Sequence, residues 1–172
     1  MISFQKNDGG KFIDECAGII MNAARTAPKA RGVDNLEIAY VTGEEKDRLS
    51  AKMDEMAAEK GAFFARDAGN LRDSRGVVLI GSKVIPLGLN CAYCGFASCG
   101  EKPKDVPCAF NTNDLGIAVG SAVSKAADLR LDNRVLFSAG NAARELGILG
   151  EDVKIIFAIP ISASKKSPYF DR

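Results

Sequence analysis

The chain contains no histidine and no tryptophan. Without histidine there is no imidazole general acid or base, no Ser-His triad and no histidine-bearing zinc site. Chemistry is left to cysteine, carboxylates, lysine, tyrosine or a bound cofactor. An excess of one charge sign is also missing: 23 basic residues face 22 acidic ones, for a net charge of +1. No basic surplus therefore points to nucleic acid or to an anionic membrane. No apolar run approaches the ~20 residues that a membrane span needs. The opening segment, residues 1–8, turns polar within a few positions and lacks the apolar core of a secretory signal. These absences predict a cytoplasmic protein whose thiols stay reduced, which counts against a disulfide framework.

What is present in concentration is cysteine in one place. Of five cysteines, four fall between Cys91 and Cys108, in a stretch with little helical or strand period. A chain of 172 residues is most simply one domain, 1–172. Residues 82–110 then form a cysteine-rich metal- or cluster-binding loop within it. Loops of this length inside a compact domain are uncommon and usually functional.

The rest of the chain has ordinary periodicity. Residues 10–27 read as a helix, with Phe12, Ile13, Cys16, Ile19, Ile20, Ala23 and Ala24 as its apolar stripe. Cys16 reads as a small core residue on that stripe. Arg25, Lys29 and Arg31 cluster at the Pro28 break, either as a solvated turn or as an anion contact. A strand over 35–42 precedes a helix from Gly43 to about Lys60, whose Leu49, Met53, Met56 and Ala57 face inward. A short helix over 63–71 leads to the apolar run Gly76–Gly81, which fits a buried strand. After the loop, Asn111–Asp114 offers N-cap residues for a helix to about Leu129. Its small residues, Gly116 to Ala126, suit close approach of another helix or a partner chain. Val135–Phe137 fits either a strand or a helix start, 141–146 a helix stopped by Gly147, and Val153–Ile159 a strand. The tail from Ser162 to Arg172 is polar and basic and is expected to run over the surface. This order favours a layered α/β or α+β domain with helices packed on a central sheet.

The cysteine spacing is Cys-x2-Cys-x4-Cys-x8-Cys, at Cys91, Cys94, Cys99 and Cys108. Two intervening residues let Cys91 and Cys94 converge on one site. Gly95 permits positive φ and close approach of a backbone N–H to a sulfur. Leu87, Leu89, Tyr93, Phe96 and Phe110 are candidates for an apolar shell. An iron–sulfur cluster, a structural zinc ion and free or disulfide-bonded thiols compete for these residues. Zinc sites usually come as two tight knuckles, and the second pair here is eight residues apart. The spacing alone leaves cluster type open, because four cysteines suit either [2Fe–2S] or [4Fe–4S].

Cys91, Cys94, Gly95 and Cys99 resemble the first three ligands of the four-cysteine cluster domain of corrinoid iron–sulfur proteins, which implies [4Fe–4S]. The fourth cysteine sits closer here than in that domain. Over nearly its whole length the chain resembles a prokaryotic family of ferredoxin-domain-containing proteins. The stretches that carry this are 24–32, the cysteine loop, 114–127, 159–163 and 170–172. A second resemblance is to FMN-dependent nitroreductases. Ala27-Pro28, Asn35, the strand Leu36–Val41, Glu44–Lys46, Asp114–Ala118 and the final strand ending at Pro160 follow the order seen in that family. The N-terminal Arg-Arg-Ser motif of that family is missing, and Lys29 stands where a serine is usual. The resemblance implies a nitroreductase-like α+β fold, a homodimer, and FMN contacts at Lys29, Asn35 and Arg172.

Together these lead to an iron–sulfur redox protein with a [4Fe–4S] cluster on the four cysteines, transferring electrons, with coupling to a flavin as a further expectation. Its partner is expected to be a redox protein or a small-molecule acceptor. A zinc-binding module without redox activity and an FMN-dependent oxidoreductase are the alternatives.

Overall fold

The computed structural model describes residues 9–170. Arg172 and the opening segment 1–8 lie outside the described residues. Four strands, β1 (Leu36–Val41), β2 (Gly76–Lys83), β3 (Asp132–Asn133) and β4 (Val153–Ser162), form one sheet in the order β1-β2-β4-β3. Every pairing is antiparallel, and Leu136 adds a single bridge to Ala158 of β4. Among the described residues, five α-helices cover the sheet: α1 (Gly9–Arg25), α2 (Gly43–Lys60), α3 (Phe63–Asp73), α4 (Ala109–Asp128) and α5 (Phe137–Glu145). The fold is α+β, as the periodicity predicts.

The unbroken apolar run in β2 has a simple cause. Side chains alternate across a strand, and both faces of this one are roofed by helices. Val78 and Ile80 join Ile159 and Ile161 of β4 beneath α1 and α4. Val77 and Leu79 join Ile156 and Ala158 against α2, α3 and α5. Each face buries its own cluster, so the strand has no polar side to show. At α5 the approach is close: a Cβ at Gly140 would lie 1.8 Å from the Ile156 carbonyl oxygen. Only glycine lets this helix sit on β4.

Helices α2 and α3 and strands β1, β2 and β4 agree with the sequence to within a few residues. Val135–Phe137 serves both expected roles, since Leu136 bridges to β4 and α5 begins at Phe137. Three readings need correction. First, the broad stripe on α1 splits. Ile13, Cys16, Ile20 and Ala24 are buried, whereas Phe12 and Ile19 are about half exposed, at 49% and 48%. Helix α1 packs on α4 and the sheet along one line, too narrow to cover the whole stripe. Second, α4 starts at Ala109, capped at Cys108, ahead of Asn113 and Asp114. Asn111 is buried inside the first turn and works as a tether. Third, the tail is only partly superficial: Ala163–Lys166 is exposed, but Tyr169 is 8% exposed. Arg134 donates to the Tyr169 carbonyl and to Asn70 Oδ1, drawing the chain back onto α3.

Candidate metal centre and the adjoining basic turn

Between β2 and α4 the chain runs without regular secondary structure from Val84 to Cys108. Three tethers fix this loop to the scaffold. Arg31 Nη1 donates to the Leu87 carbonyl at 2.5 Å. Asn111 Nδ2 donates to the Ile85 carbonyl at 3.0 Å, and its Oδ1 accepts the Cys108 N–H at 3.1 Å. Asn111 is 2% exposed. This one amide therefore joins the start of the loop to its last cysteine and to the first turn of α4.

Inside the loop all four cysteines, Cys91, Cys94, Cys99 and Cys108, line one hollow, together with Leu87, Phe96 and Phe110. Cys108 is buried and the other three are half-buried. All five cysteines of the chain are free thiols. The Asn90 N–H points at Cys99 Sγ at 3.4 Å, and Asn90 Oδ1 accepts the Cys99 N–H at 2.9 Å. This reciprocal pair closes the first half of the loop. Asn90 and Ala92 both have left-handed backbone, with φ of 47° and 59°. Asparagine tolerates that region; alanine pays roughly 1–2 kcal/mol for it. Such strain persists where surroundings over-determine the backbone, and it clusters at functional sites.

Gly95 has φ of 86°, as its position after Cys94 suggested. Its N–H closes a turn onto the Ala92 carbonyl at 2.9 Å; the amide that reaches a sulfur belongs to Asn90. Of the expected apolar shell, Leu87 is buried and Phe96 and Phe110 are half-buried. Tyr93 is different, being 77% exposed and resting on Phe110 with ring centroids 5.9 Å apart. It lies outside the hollow because Cys91 and Cys94, either side of the turn, take the inward positions.

The donor set fits an all-thiolate group. Four cysteines line one space, apolar side chains wall it, and a backbone N–H is directed at a sulfur, a feature that tunes iron–sulfur centres. Among the described residues, no three His, Cys, Asp or Glu side chains converge on a single-ion position. Cys16 lies apart, in the core beneath α1 at 2% exposed, and burial raises its thiol pKa.

The basic turn directs its donors to protein oxygens. Lys29 Nζ donates to the carbonyls of Arg25 and Ala27, at 2.6 and 2.9 Å, which satisfies the exposed end of α1. Arg25 binds Asp34 at 2.7 Å and the Leu36 carbonyl at 2.8 Å. Asp114, on the first turns of α4, accepts the Ala30 N–H through both oxygens, at 3.2 and 3.1 Å. The 27–32 turn is thus bound to α4 on one side and, through Arg31, to the cysteine loop on the other. Asn35 is the exception: its Nδ2 is buried without a hydrogen-bond partner, while its carbonyl accepts the Lys83 N–H at 3.0 Å.

Sequence reasoning named the four ligand candidates and missed the residues that arrange them. Asn111 carried a usable signal, since an amide three residues after a cap suits a reciprocal cap. Asn90, directly before the first cysteine, carried a weaker one as a residue that accepts positive φ. Arg31 stood out in the basic turn as a solvated or anion-binding residue, and its bond to the Leu87 carbonyl carried no local mark; nothing local marks the buried Lys102.

The architecture, a mixed helical shell on this four-stranded antiparallel sheet, is that of the nitroreductase fold. Nitroreductase CinD from Lactococcus lactis, solved in complex with nicotinic acid, superposes with a TM-score of 0.64 over 95% of this chain and 82% of that one, at 16% identity. A nitroreductase with bound FMN from Desulfitobacterium hafniense gives 0.62 over 92% and 83%, also at 16% identity. A nitroreductase family protein from Clostridium novyi gives 0.61 over 91% and 76%, at 15% identity. At such identities the likeness speaks to the fold. Closer kinship comes from an uncharacterized protein of Archaeoglobus fulgidus, 45% identical over 177 residues, covering 97% of this chain and 94% of that protein. Residues 104–172, a span that includes Cys108, match the family described as "Uncharacterized protein containing a ferredoxin domain (DUF2148)". The chain belongs to this ferredoxin-domain family. Among the described residues, no helix is long and apolar enough to cross a membrane.

Proposed function

We propose that the protein is an iron–sulfur redox protein whose Cys91, Cys94, Cys99 and Cys108 hold a [4Fe–4S] cluster. The observation that carries this is the placement of all four cysteines around one hollow. Such a cluster supplies one-electron transfer. The chain's own residues do the rest. Asn111 and Arg31 hold the loop on the scaffold, the Asn90 amide faces the Cys99 sulfur, and Leu87, Phe96 and Phe110 exclude water. Cys99 and Cys108, eight residues apart, do not form the second tight knuckle usual in zinc sites, and this favours iron–sulfur over zinc. The electron partner is a redox protein or a small-molecule acceptor.

Protein purified without oxygen is expected to be brown, with visible absorbance that bleaches on reduction. Iron and sulfide are expected in equal amounts, about four of each per chain for this cluster type. Colourless protein with stoichiometric zinc and neither iron nor sulfide would sink the proposal.

A second reading adds a flavin beside the cluster. The buried, unpartnered Asn35 Nδ2 supports it, because such a donor is costly unless something accepts from it. The fold shared with an FMN-bound nitroreductase supports it as well. The Arg31–Leu87 contact joins this turn to the cysteine loop, so an electron passing between the two groups would cross few intervening residues. Flavin released on heat denaturation of wild-type protein, and lost from Asn35→Ala, is the expected result; its absence from wild-type protein removes the flavin and leaves the cluster reading intact. In a homodimer, the exposed Phe12 and Ile19 of α1 are the face that a second copy would cover.

A further inference from the structure

Lys102 lies between Cys99 and Cys108 in the charged run Glu101–Asp105, where sequence suggests a solvated side chain. In the structure it is only 7% exposed, and it lines the same hollow as the four cysteines. Its Nζ donates to the Pro103 carbonyl at 2.9 Å and to the Val106 carbonyl. Among the described residues, no carboxylate pairs with it. A buried ammonium held only by neutral carbonyls is an expensive arrangement, since a desolvated charge needs a counter-charge. As metal ligands, the four cysteines are thiolates. They are the anions this cation otherwise lacks.

We infer that Lys102 is a charge-tuning residue that sets the reduction potential of the group held by the four cysteines. The inference rests on the iron–sulfur reading above. Reduction takes one electron from a low-potential donor and adds one negative charge to the site, with no bond made or broken in the protein. A fixed cation carried by a residue that lines the hollow stabilises the more negative, reduced form more than the oxidised form. Net charge around a cluster is one of the levers on its potential. The two carbonyls keep the ammonium in place, so its charge acts at a constant position.

The test compares wild-type protein with Lys102→Met, Lys102→Gln and Lys102→Arg. Each is reconstituted anaerobically with iron and sulfide, assayed for both, and titrated with dithionite while the visible absorbance is followed. Lys102→Gln keeps hydrogen-bond donors for the two carbonyls but loses the charge; Lys102→Arg keeps the charge. Both neutral variants are expected to have a reduction equilibrium constant about tenfold lower, a midpoint about 59 mV more negative for one electron. Lys102→Arg is expected to stay close to wild type. Unchanged midpoints in both neutral variants would overturn the inference. So would a shift in Lys102→Met that Lys102→Gln restores, because that assigns the effect to loop hydrogen bonds. If the neutral variants fold, by circular dichroism, but do not load, loading of Lys102→Arg supports the charge role and its failure to load overturns it. Wild-type protein that takes up zinc but no iron or sulfide defeats the underlying reading, an outcome read before any variant is made.

Discussion

The central sheet and the cysteine loop adjoin in sequence, Lys83 leading directly into Val84, yet different forces hold them. In β2 every residue from Gly76 to Ser82 is buried, each neighbour is a strand or helix, and the backbone pairs on both sides. In the loop the backbone makes only isolated turns, two residues other than glycine carry positive φ, and two side chains, Arg31 and Asn111, tie the segment down. The sheet is complete without any ligand. The loop is shaped around a space. Stability and ligand retention should therefore respond to different substitutions.

The largest separation is expected at Gly140. A methyl group there meets the Ile156 backbone oxygen, which cannot move without breaking the sheet. Gly140→Ala should cost at least about 3 kcal/mol of unfolding free energy, as severe overpacking does, while iron per folded chain stays at the wild-type level. A cost below about 1 kcal/mol by urea denaturation would show that α5 is not seated by backbone contact. Asn111→Ala should follow, because it strands the buried Cys108 N–H and frees the Ile85 carbonyl that anchors the start of the loop. A loss of about 1–2 kcal/mol is expected from one buried unsatisfied donor and one lost tether, together with poorer retention of iron. This is the substitution that should move both measurements, since Asn111 spans the boundary between scaffold and loop. Full iron retention in Asn111→Ala would break that assignment.

How much of this was legible follows the same boundary. Periodicity gave β2 and α2 nearly to the residue, because burial on both faces and a regular stripe leave direct marks in residue type. The four ligand candidates were legible through spacing and through the missing histidines. Lys102 was not, because a lysine between a glutamate and a proline looks the same whether it faces water or a hollow. The path of the chain decides, and no local pattern encodes it. The start of α4 was misplaced for a related reason. Asn111 resembles a cap, but its side chain reaches back to Cys108 from inside the helix. The half-exposed Phe12 and Ile19 show that an apolar stripe tells which residues avoid polarity, and says nothing of how wide the neighbouring surface is.

Two cysteines sharpen the comparison further. Cys16 belongs to the core beneath α1, and Cys94 to the loop. Cys16→Ala should cost about 1 kcal/mol, at the low end for a small truncation in a packed core, and should keep its iron and sulfide. Cys94→Ala should lose the cluster while the stability of the metal-free protein changes by less than about 0.5 kcal/mol, as for a substitution outside the core. The reverse pattern would place the ligand set elsewhere.

The smallest effect is expected at Asp14, on the rim of the scaffold, where pH supplies the probe. Arg75 binds its carboxylate with two donors, at 3.1 and 2.5 Å, and Tyr40 donates at 2.8 Å. The Arg75 hydrogen bond, opposed by partial burial and assisted by Tyr40, holds the Asp14 pKa below its ordinary value of 3.8. The folded state thus binds this proton less readily than the unfolded state. The stabilisation is fully present above the ordinary value and is lost as pH falls through the lowered one. Both partners are substantially exposed, Arg75 at 46% and Asp14 at 35%, so the contribution is under about 1 kcal/mol. Asp14→Asn should therefore lower the urea midpoint slightly at pH 7, and the gap from wild type should narrow at pH 3. Among the described residues, the Asp14 and Arg75 side chains bond to each other and to Tyr40 and not to the cysteine loop, so the narrowing should be the same in Cys94→Ala. An equal gap at both pH values would mean that Asp14 acts through packing and leaves its ion pair with Arg75 without measurable effect.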